Sequence, residues 1–142
     1  MAYCTQEELV ERYGEPMLVE ATDRGAVATG EIDAVAVARS IADAAALIDG
    51  YLKPRYALPL AHTPPLLKRC ALVIAAYELH GNVASEKIRR DYEDALKLLG
   101  QISRGEVKLD VAGVEPEGAG NSGARITDRE RPFTEANLKG YF

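Results

Sequence analysis

Few side chains in this sequence suggest chemistry, and those that do are far apart. Neither histidine, His62 or His80, has a partner at the spacing of a metal site. The cysteines, Cys4 and Cys70, form no C-x-x-C and lack a nearby base, so we interpret them as small apolar residues in a reducing compartment. No phosphate-binding loop, nucleophile elbow or zinc-protease motif occurs. The sequence therefore predicts no catalytic residue, no metal, no cofactor and no enzyme activity.

Two basic clusters could contact DNA phosphates or another subunit. Lys68 and Arg69 form the first cluster, and Lys87, Arg89 and Arg90 form the second. Such clusters are often solvated helix faces with carboxylate partners, and that interpretation stays open beside the functional one. The whole chain carries 17 Lys and Arg against 22 Asp and Glu, a formal charge of −5. Since duplex-DNA binders are usually basic, this balance argues against a dedicated nucleic-acid binder.

The end of the sequence combines a linker with residues that suit an interface. Residues 112–124 are rich in glycine and have almost nothing to bury, which is typical of a flexible linker. Aromatic and arginine side chains usually dominate the binding energy of interfaces, and the following segment supplies several. We therefore expect residues 125–142 to be a docking tail, although an ordinary terminus is the alternative. Its proposed contact residues are Arg129, Arg131, Phe133, Leu138, Tyr141 and Phe142.

The periodicity of apolar residues predicts an all-α fold: a small helical bundle with an extended C-terminal arm. Three main helices are expected, preceded by a short N-terminal helical pair. The main helices should span about 33–52, 64–80 and 85–104. The second of them is apolar around most of its circumference, which predicts a central position. The predicted organisation is a helical domain at 1–111, a linker at 112–124 and a tail at 125–142.

Local signals predict where these elements begin and end. Thr5 and Glu8 have the spacing of a capping box, and Gly14 is placed to end the first short helix in the left-handed conformation. The expected N-caps of the main helices are Asp33, Thr63 and Ser85. Prolines predict an extended segment at 53–60. The apolar–polar alternation of 107–111 suits a short strand or an extended arm.

Several stretches of the sequence resemble virion proteins of Mu-like phages and prophages that are related to head–tail connectors. The stretches are Tyr3–Gly14, Ala44–Pro59 with Pro64–Arg69, and Tyr92–Gly105. The resemblance as a whole covers nearly all of residues 1–111 and part of the tail. The motif Ile48-Asp-Gly-Tyr-Leu-x-x-Arg-Tyr-x-Leu-Pro59 is fairly specific. It assigns a structural role to Tyr51, Leu52, Arg55, Tyr56 and Pro59.

The resemblance implies a structural protein with no catalytic residues to carry over. The family is similar to adaptor proteins of long-tailed phages, small helical bundles that form a homo-oligomeric ring, typically a dodecamer, beneath the portal. The implied partners are further copies of the chain, the portal protein, a stopper or tail-completion protein and, transiently, packaged DNA. The implied location is the virion neck, with the host cytoplasm during assembly. No membrane partner is expected, because the longest apolar run, Cys70–Tyr77, is far shorter than a span of about 20 residues.

The alternative from another functional class is a DNA-binding accessory of packaging, such as a small terminase subunit. That function would need a recognition helix with basic and amide side chains on one face. Lys87, Arg89 and Arg90 are the only candidates for such a face, and neighbouring carboxylates dilute their charge. The residues therefore favour the connector over the packaging accessory.

Overall fold

A computed structural model describes residues 1–111, and helices make up most of this range. The helices are α1 (Gln6–Tyr13), α2 (Glu15–Thr22), α3 (Ala34–Leu52), α4 (Pro65–His80) and α5 (Glu86–Arg104), with a 3-10 turn at Gly81–Val83. Residues 1–111 contain no strand, so the all-α prediction is confirmed, as are the positions of the three main helices. The predicted linker at 112–124 and the docking tail at 125–142 lie outside the described residues.

Side-chain caps explain where three of the helices begin. The Thr5 hydroxyl accepts from the Glu8 amide at 3.3 Å, and the Glu8 carboxylate accepts from the Thr5 amide at 3.0 Å. Asp33 accepts from the amides of Val35 and Ala36, the second and third residues of α3, at 3.0 and 3.3 Å. The Ser85 hydroxyl accepts from the third amide of α5 at 3.4 Å. These oxygens satisfy N–H groups that have no partner inside a helix, as the sequence predicted.

Two predicted helix ends are wrong in detail. Pro64, not Thr63, is the N-cap of α4, and no side chain caps this helix. Pro65 at the first helical position has no N–H, so one of the donors that a cap would satisfy does not exist. Gly14 has a φ of 88° but a ψ of 147°, which is not the left-handed helical conformation. The extended ψ directs the chain straight into α2, so Gly14 both ends α1 and precedes α2.

Two predicted extended segments also differ from the structure. The start of 53–60 is a turn, because the amides of Arg55 and Tyr56 both donate to the Leu52 carbonyl, at 2.9 and 2.8 Å. Burial of the Tyr56 ring stabilises this turn and overrides the preference that Pro54 imposes on the residue before it. Residues 107–111 do not form the strand alternative, since no partner strand lies beside them. Leu109 and Val111 are nevertheless buried and Lys108 and Asp110 exposed, so the alternation still decides which side chains face the core.

The core is built around α4. This helix buries residues on most of its circumference, packs against α3 on one side and α5 on another, and also contacts α1 and α2. Its prediction as the central helix is therefore confirmed. Each fully buried Leu, Ile or Val contributes about 1.5–3 kcal/mol, so α4 carries much of the stabilisation of the bundle. Within residues 1–111, no helix is long and apolar enough to span a membrane.

Different secondary-structure elements and loops meet at the two ends of the bundle. Arg55, just after α3, lies against Gly105, just after α5, so the C-terminal ends of these helices are neighbours. We call this the exit end, because α5 ends here and residues 105–111 follow it. The opposite end contains the 23–33 loop, the start of α3 and the end of α4, joined by a hydrogen bond from Arg24 to the His80 carbonyl at 3.1 Å. We call it the loop end.

Candidate interaction surfaces

At the exit end, a tyrosine of the sequence motif holds the segment that follows α5. The Tyr56 hydroxyl accepts from the Leu109 amide at 3.1 Å, and the Tyr56 side chain is only 2% exposed. A buried N–H needs a partner, and here a side chain supplies it in place of a partner strand. The bond joins residues 53 positions apart in sequence. It therefore fixes residues 107–111 to the loop between α3 and α4.

Two further contacts at the exit end act on the same segment. The Arg55 guanidinium lies so close to Gly105 that a Cβ at that position would overlap it. Gly105 also has a φ of 77°, the left-handed conformation that suits glycine at the end of a helix. His62 Nε2 lies 3.1 Å from the Asp110 carbonyl oxygen. We call Arg55, Tyr56 and His62, with the backbone that they contact, the exit latch.

The other positions of the motif lie close to the exit latch in sequence and differ in burial. Leu52 is completely buried in the core, and Tyr51 packs against the core while remaining half-buried. Pro59 is exposed and follows a cis peptide bond. The motif residues thus meet at one end of the bundle. None of them lies in the groove described next.

A groove runs between α1 and α5 above the surface of α4. Its deeper part is a cavity of about 150 Å³ with an apolar floor that includes Cys70, Val73 and Leu98. The groove continues toward Ser85 past Tyr13, Met17 and Ile88. Arg12 and Asp91 line both parts, which makes the groove continuous. We call it the α1–α5 groove.

Charges of both signs surround this groove. Arg12 and Arg69 contribute cations to its deeper part, and Asp91 and Asp94 contribute anions. None of the ion pairs within residues 1–111 joins either arginine to either aspartate. Asp94 makes only a long contact of 3.8 Å with exposed Lys97. The groove therefore offers an apolar floor with a rim of mixed charge.

The basic residues singled out from the sequence do not form one patch. Lys68 pairs with Glu8 at 2.6 Å, and this hydrogen bond holds the pKa of Glu8 below its usual range. Arg90 pairs with Glu86 on the exposed face of α5. Arg69 and Lys87 lie at different positions along the α1–α5 groove, and Arg89 is exposed outside it. Two of the five cations are therefore paired with carboxylates, and the other three lie apart from one another.

Both cysteines are buried free thiols. Burial raises the pKa of Cys4 to about 11, with a further contribution from the charge of Glu8, and burial also raises the pKa of Cys70 to about 11. Thiols with such pKa values stay protonated near neutral pH and are poor nucleophiles. Among residues 1–111, no group of three or more His, Cys, Asp or Glu side chains is placed to hold a metal ion.

Sequence reasoning missed several residues of these surfaces. Arg12, Asp91 and Asp94 were not singled out, because they look like ordinary solvated charges on separate helices. The two contacts of Gly105 and His62 with distant residues were missed as well. The alternation at 107–111 was a usable signal for the latch, since it indicated burial on one side without a second strand to pair with. The docking-tail residues Arg129, Arg131, Phe133, Leu138, Tyr141 and Phe142 lie outside the described residues.

Comparison with known proteins identifies relatives along almost the whole chain. A family model described as Bacteriophage Mu, Gp36 matches residues 3–127. Gene product J of Escherichia phage Mu is 36% identical over 121 residues, which cover 83% of this chain and 85% of the relative. The Mu-like prophage FluMu protein gp36 of Haemophilus influenzae is 29% identical over 139 residues, covering 98% and 97% of the two chains. The resemblance to proteins of Mu-like phages and prophages is thereby confirmed, and the chain belongs to the Bacteriophage Mu, Gp36 family.

Proposed function

We propose that this protein is a structural subunit of a phage head–tail connector. It forms a homo-oligomeric ring in the virion neck, between the portal protein and a stopper or tail-completion protein, and packaged DNA passes through the ring. It has no catalytic role, and it assembles in the host cytoplasm. Membership of a Mu phage family supports the phage context, and the finer role rests on the features that follow.

The exit latch is the observation that carries this proposal. It fastens residues 105–111 to the bundle through Tyr56 and His62, so the chain leaves the helical domain at a fixed point. Beyond that point the sequence supplies a glycine-rich stretch and then Phe133, Leu138 and Tyr141. A tether attached at a fixed point raises the effective concentration of a second contact. This arrangement suits a subunit that must hold a neighbour in a ring.

The charge distribution supports a ring around DNA better than a DNA-binding accessory. The chain has a formal charge of −5, and Lys68 and Arg90 are engaged by Glu8 and Glu86. A negative channel wall weakens attachment to phosphate, so DNA can slide. A packaging accessory would instead need a contiguous basic surface to neutralise phosphates.

Deletion of the gene in the phage or prophage that encodes the chain tests the proposal. We expect electron microscopy to show filled heads and free tails that are not joined, and expression of the full chain in trans to restore joined particles. Antibody labelling of those particles should locate the chain at the neck. Normal joined particles in the deletion strain would contradict the connector role. A salt-dependent shift of duplex DNA by the purified full chain would favour the packaging accessory instead.

A further inference from the structure

We infer that the α1–α5 groove is the receptor for residues 129–142 of a neighbouring copy of this chain. The inference rests on the proposed ring, because it supplies the contact that joins one subunit to the next. The α1–α5 groove combines an enclosed apolar floor with the charges of Arg69 and Asp91, which no ion pair within residues 1–111 uses. Both properties point to a peptide that carries aromatic side chains and charges of both signs.

The size of the groove suits an aromatic side chain. Its deeper part has a volume of about 150 Å³, and Cys70, Val73 and Ala95 on its floor are each less than a tenth exposed. Apolar cavities of roughly this size can hold a benzene-sized ring. Phe133 is the first aromatic residue beyond residue 111, and Tyr141 and Phe142 follow it. Burial of one such ring removes about 150–250 Å² of surface from water, which makes it an effective anchor.

The charges of the groove match those of the segment. Arg12, Arg69, Asp91 and Asp94 all line the deeper part, and no ion pair within residues 1–111 joins either arginine to either aspartate. The sequence just before Phe133 alternates in sign, with Arg129, Glu130 and Arg131 in succession. A segment of alternating sign can satisfy both kinds of rim charge at once, whereas a purely basic or acidic ligand would be repelled by half of them. Mixed rim charge therefore selects this occupant and sets its register.

Residues 112–132 are long enough to carry the segment 129–142 from the exit latch of one copy to the groove of another. Residues 112–132 can extend to roughly 70 Å, whereas α5, the longer flank of the groove, measures about 28 Å. A ring requires heterologous contacts, in which one surface of a subunit meets a different surface of the next. The groove and the segment 129–142 are two such surfaces on one chain. Occupation by a neighbouring copy closes the ring, whereas occupation by the same chain would not.

Photo-crosslinking in assembled particles tests this inference. The full chain is expressed in the deletion strain with the photoreactive residue benzoylphenylalanine in place of Phe133, and the particles are irradiated. We expect a crosslinked dimer in which mass spectrometry finds residue 133 joined to peptides of α1, α4 or α5 that line the groove. Mixed isotope-labelled and unlabelled copies show whether the two peptides come from different chains.

A charge reversal in the groove provides the matched control. Arg69→Glu should lower the yield of the crosslinked dimer by about tenfold, because it removes an attraction and adds a repulsion. Arg39→Glu makes the same change at an exposed position on α3 outside the groove and should leave the yield unchanged. Circular dichroism of each purified variant checks that the helices remain folded.

The possible results separate this inference from the proposed function. Crosslinks to the same chain, to the exposed face of α3 or to another protein overturn the inference, while a chain located at the neck still supports the connector. Equal yields for Arg69→Glu and Arg39→Glu also overturn it. Absence of the full chain from joined particles contradicts the connector and the inference together.

Discussion

The exit end and the loop end of the bundle are held together in different ways. At the exit end, the buried hydroxyl of Tyr56 joins Leu109 across 53 positions of sequence, and the contact is shielded from water. At the loop end, Asp23 accepts from the amides of Thr29 and Gly30, at 2.9–3.1 Å, within seven positions of sequence and in an exposed place. The long-range contact of the exit end is therefore buried, whereas the contacts of the loop end, including the bond from Arg24 to the distant His80 carbonyl, are exposed to water.

Exposure of apolar residues follows the same division. Val27 in the loop and Val83 after α4 are 78% and 72% exposed, and both belong to the loop end. At the exit end, Leu60, Leu109 and Val111 are all less than a tenth exposed. Single exposed valines are ordinary on protein surfaces and need no partner. We therefore expect substitutions at the exit end to change global stability and those at the loop end to have smaller effects.

The largest effect in this comparison should come from Tyr56→Phe. The substitution keeps the ring but removes the hydroxyl, which leaves the buried Leu109 amide without its acceptor. A buried N–H without a partner costs about 1–3 kcal/mol. Denaturant unfolding measures the loss, and hydrogen exchange of the Leu109 amide should become faster.

Tyr51→Phe is the control for that loss, because Tyr51 is half-buried in the same motif. Its free energy of unfolding should stay within about 0.5 kcal/mol of the wild-type value. Equal losses for the two variants would show that the latch adds nothing beyond ring packing, and the contrast between the ends would fail.

An intermediate effect is expected from two glycines with the same backbone conformation. Gly105 and Gly30 have φ values of 77° and 69°, so alanine is strained at either position. A Cβ at Gly105 would also displace the Arg55 guanidinium, whereas Gly30 has open space around it. Moving a side chain away from its preferred rotamer costs about 1 kcal/mol. Gly105→Ala should therefore lower the free energy of unfolding by about 1 kcal/mol more than Gly30→Ala, and identical thermal shifts would argue against a packed contact at Gly105.

The smallest effect should come from Asp23→Asn, and it should depend on pH. Hydrogen bonds from the backbone of Gly30 and Thr29 lower the pKa of Asp23. The ionised carboxylate therefore stabilises the fold above its unfolded pKa of about 3.9, and this contribution is lost as the pH falls through the lower, folded pKa. The difference in unfolding free energy between pH 7 and pH 3 should be smaller in Asp23→Asn than in the wild type. A larger difference in the variant would show that the sign of this linkage is wrong.

Local sequence signals were sufficient for most of the helical fold. Thr5, Asp33 and Ser85 cap the helices that they were predicted to cap, because capping depends only on residues one turn away. The prediction of Thr63 as an N-cap was wrong because two prolines follow it. Pro65 has no N–H, so one of the donors that the Thr63 hydroxyl would satisfy does not exist. The prediction of an extended segment at Tyr56 was wrong for another reason, since Tyr56 is buried and its hydroxyl bonds to Leu109, 53 positions away in sequence.

The candidate surfaces were less predictable than the helices. The α1–α5 groove combines Arg12, Arg69 and Asp91, which lie on three different helices. No local pattern indicates that such residues will meet, because their proximity results from how the helices pack. The basic cluster of α5 was visible in the sequence, but the pairing of Arg90 with Glu86 reduces the charge that it presents. The docking tail stays a prediction, since it lies outside the described residues.

The most direct test of the central claim is a truncation after Val111, examined both in solution and in the phage. We expect residues 1–111 to keep their helical circular dichroism and nearly the same thermal midpoint as the full chain. We also expect the truncated chain, supplied in trans to the deletion strain, to fail to join heads to tails, while the full chain succeeds. Joined particles with the truncated chain would contradict the role of residues 125–142 in assembly. An unfolded truncated chain would contradict it as well, because the tail would then be part of the helical domain.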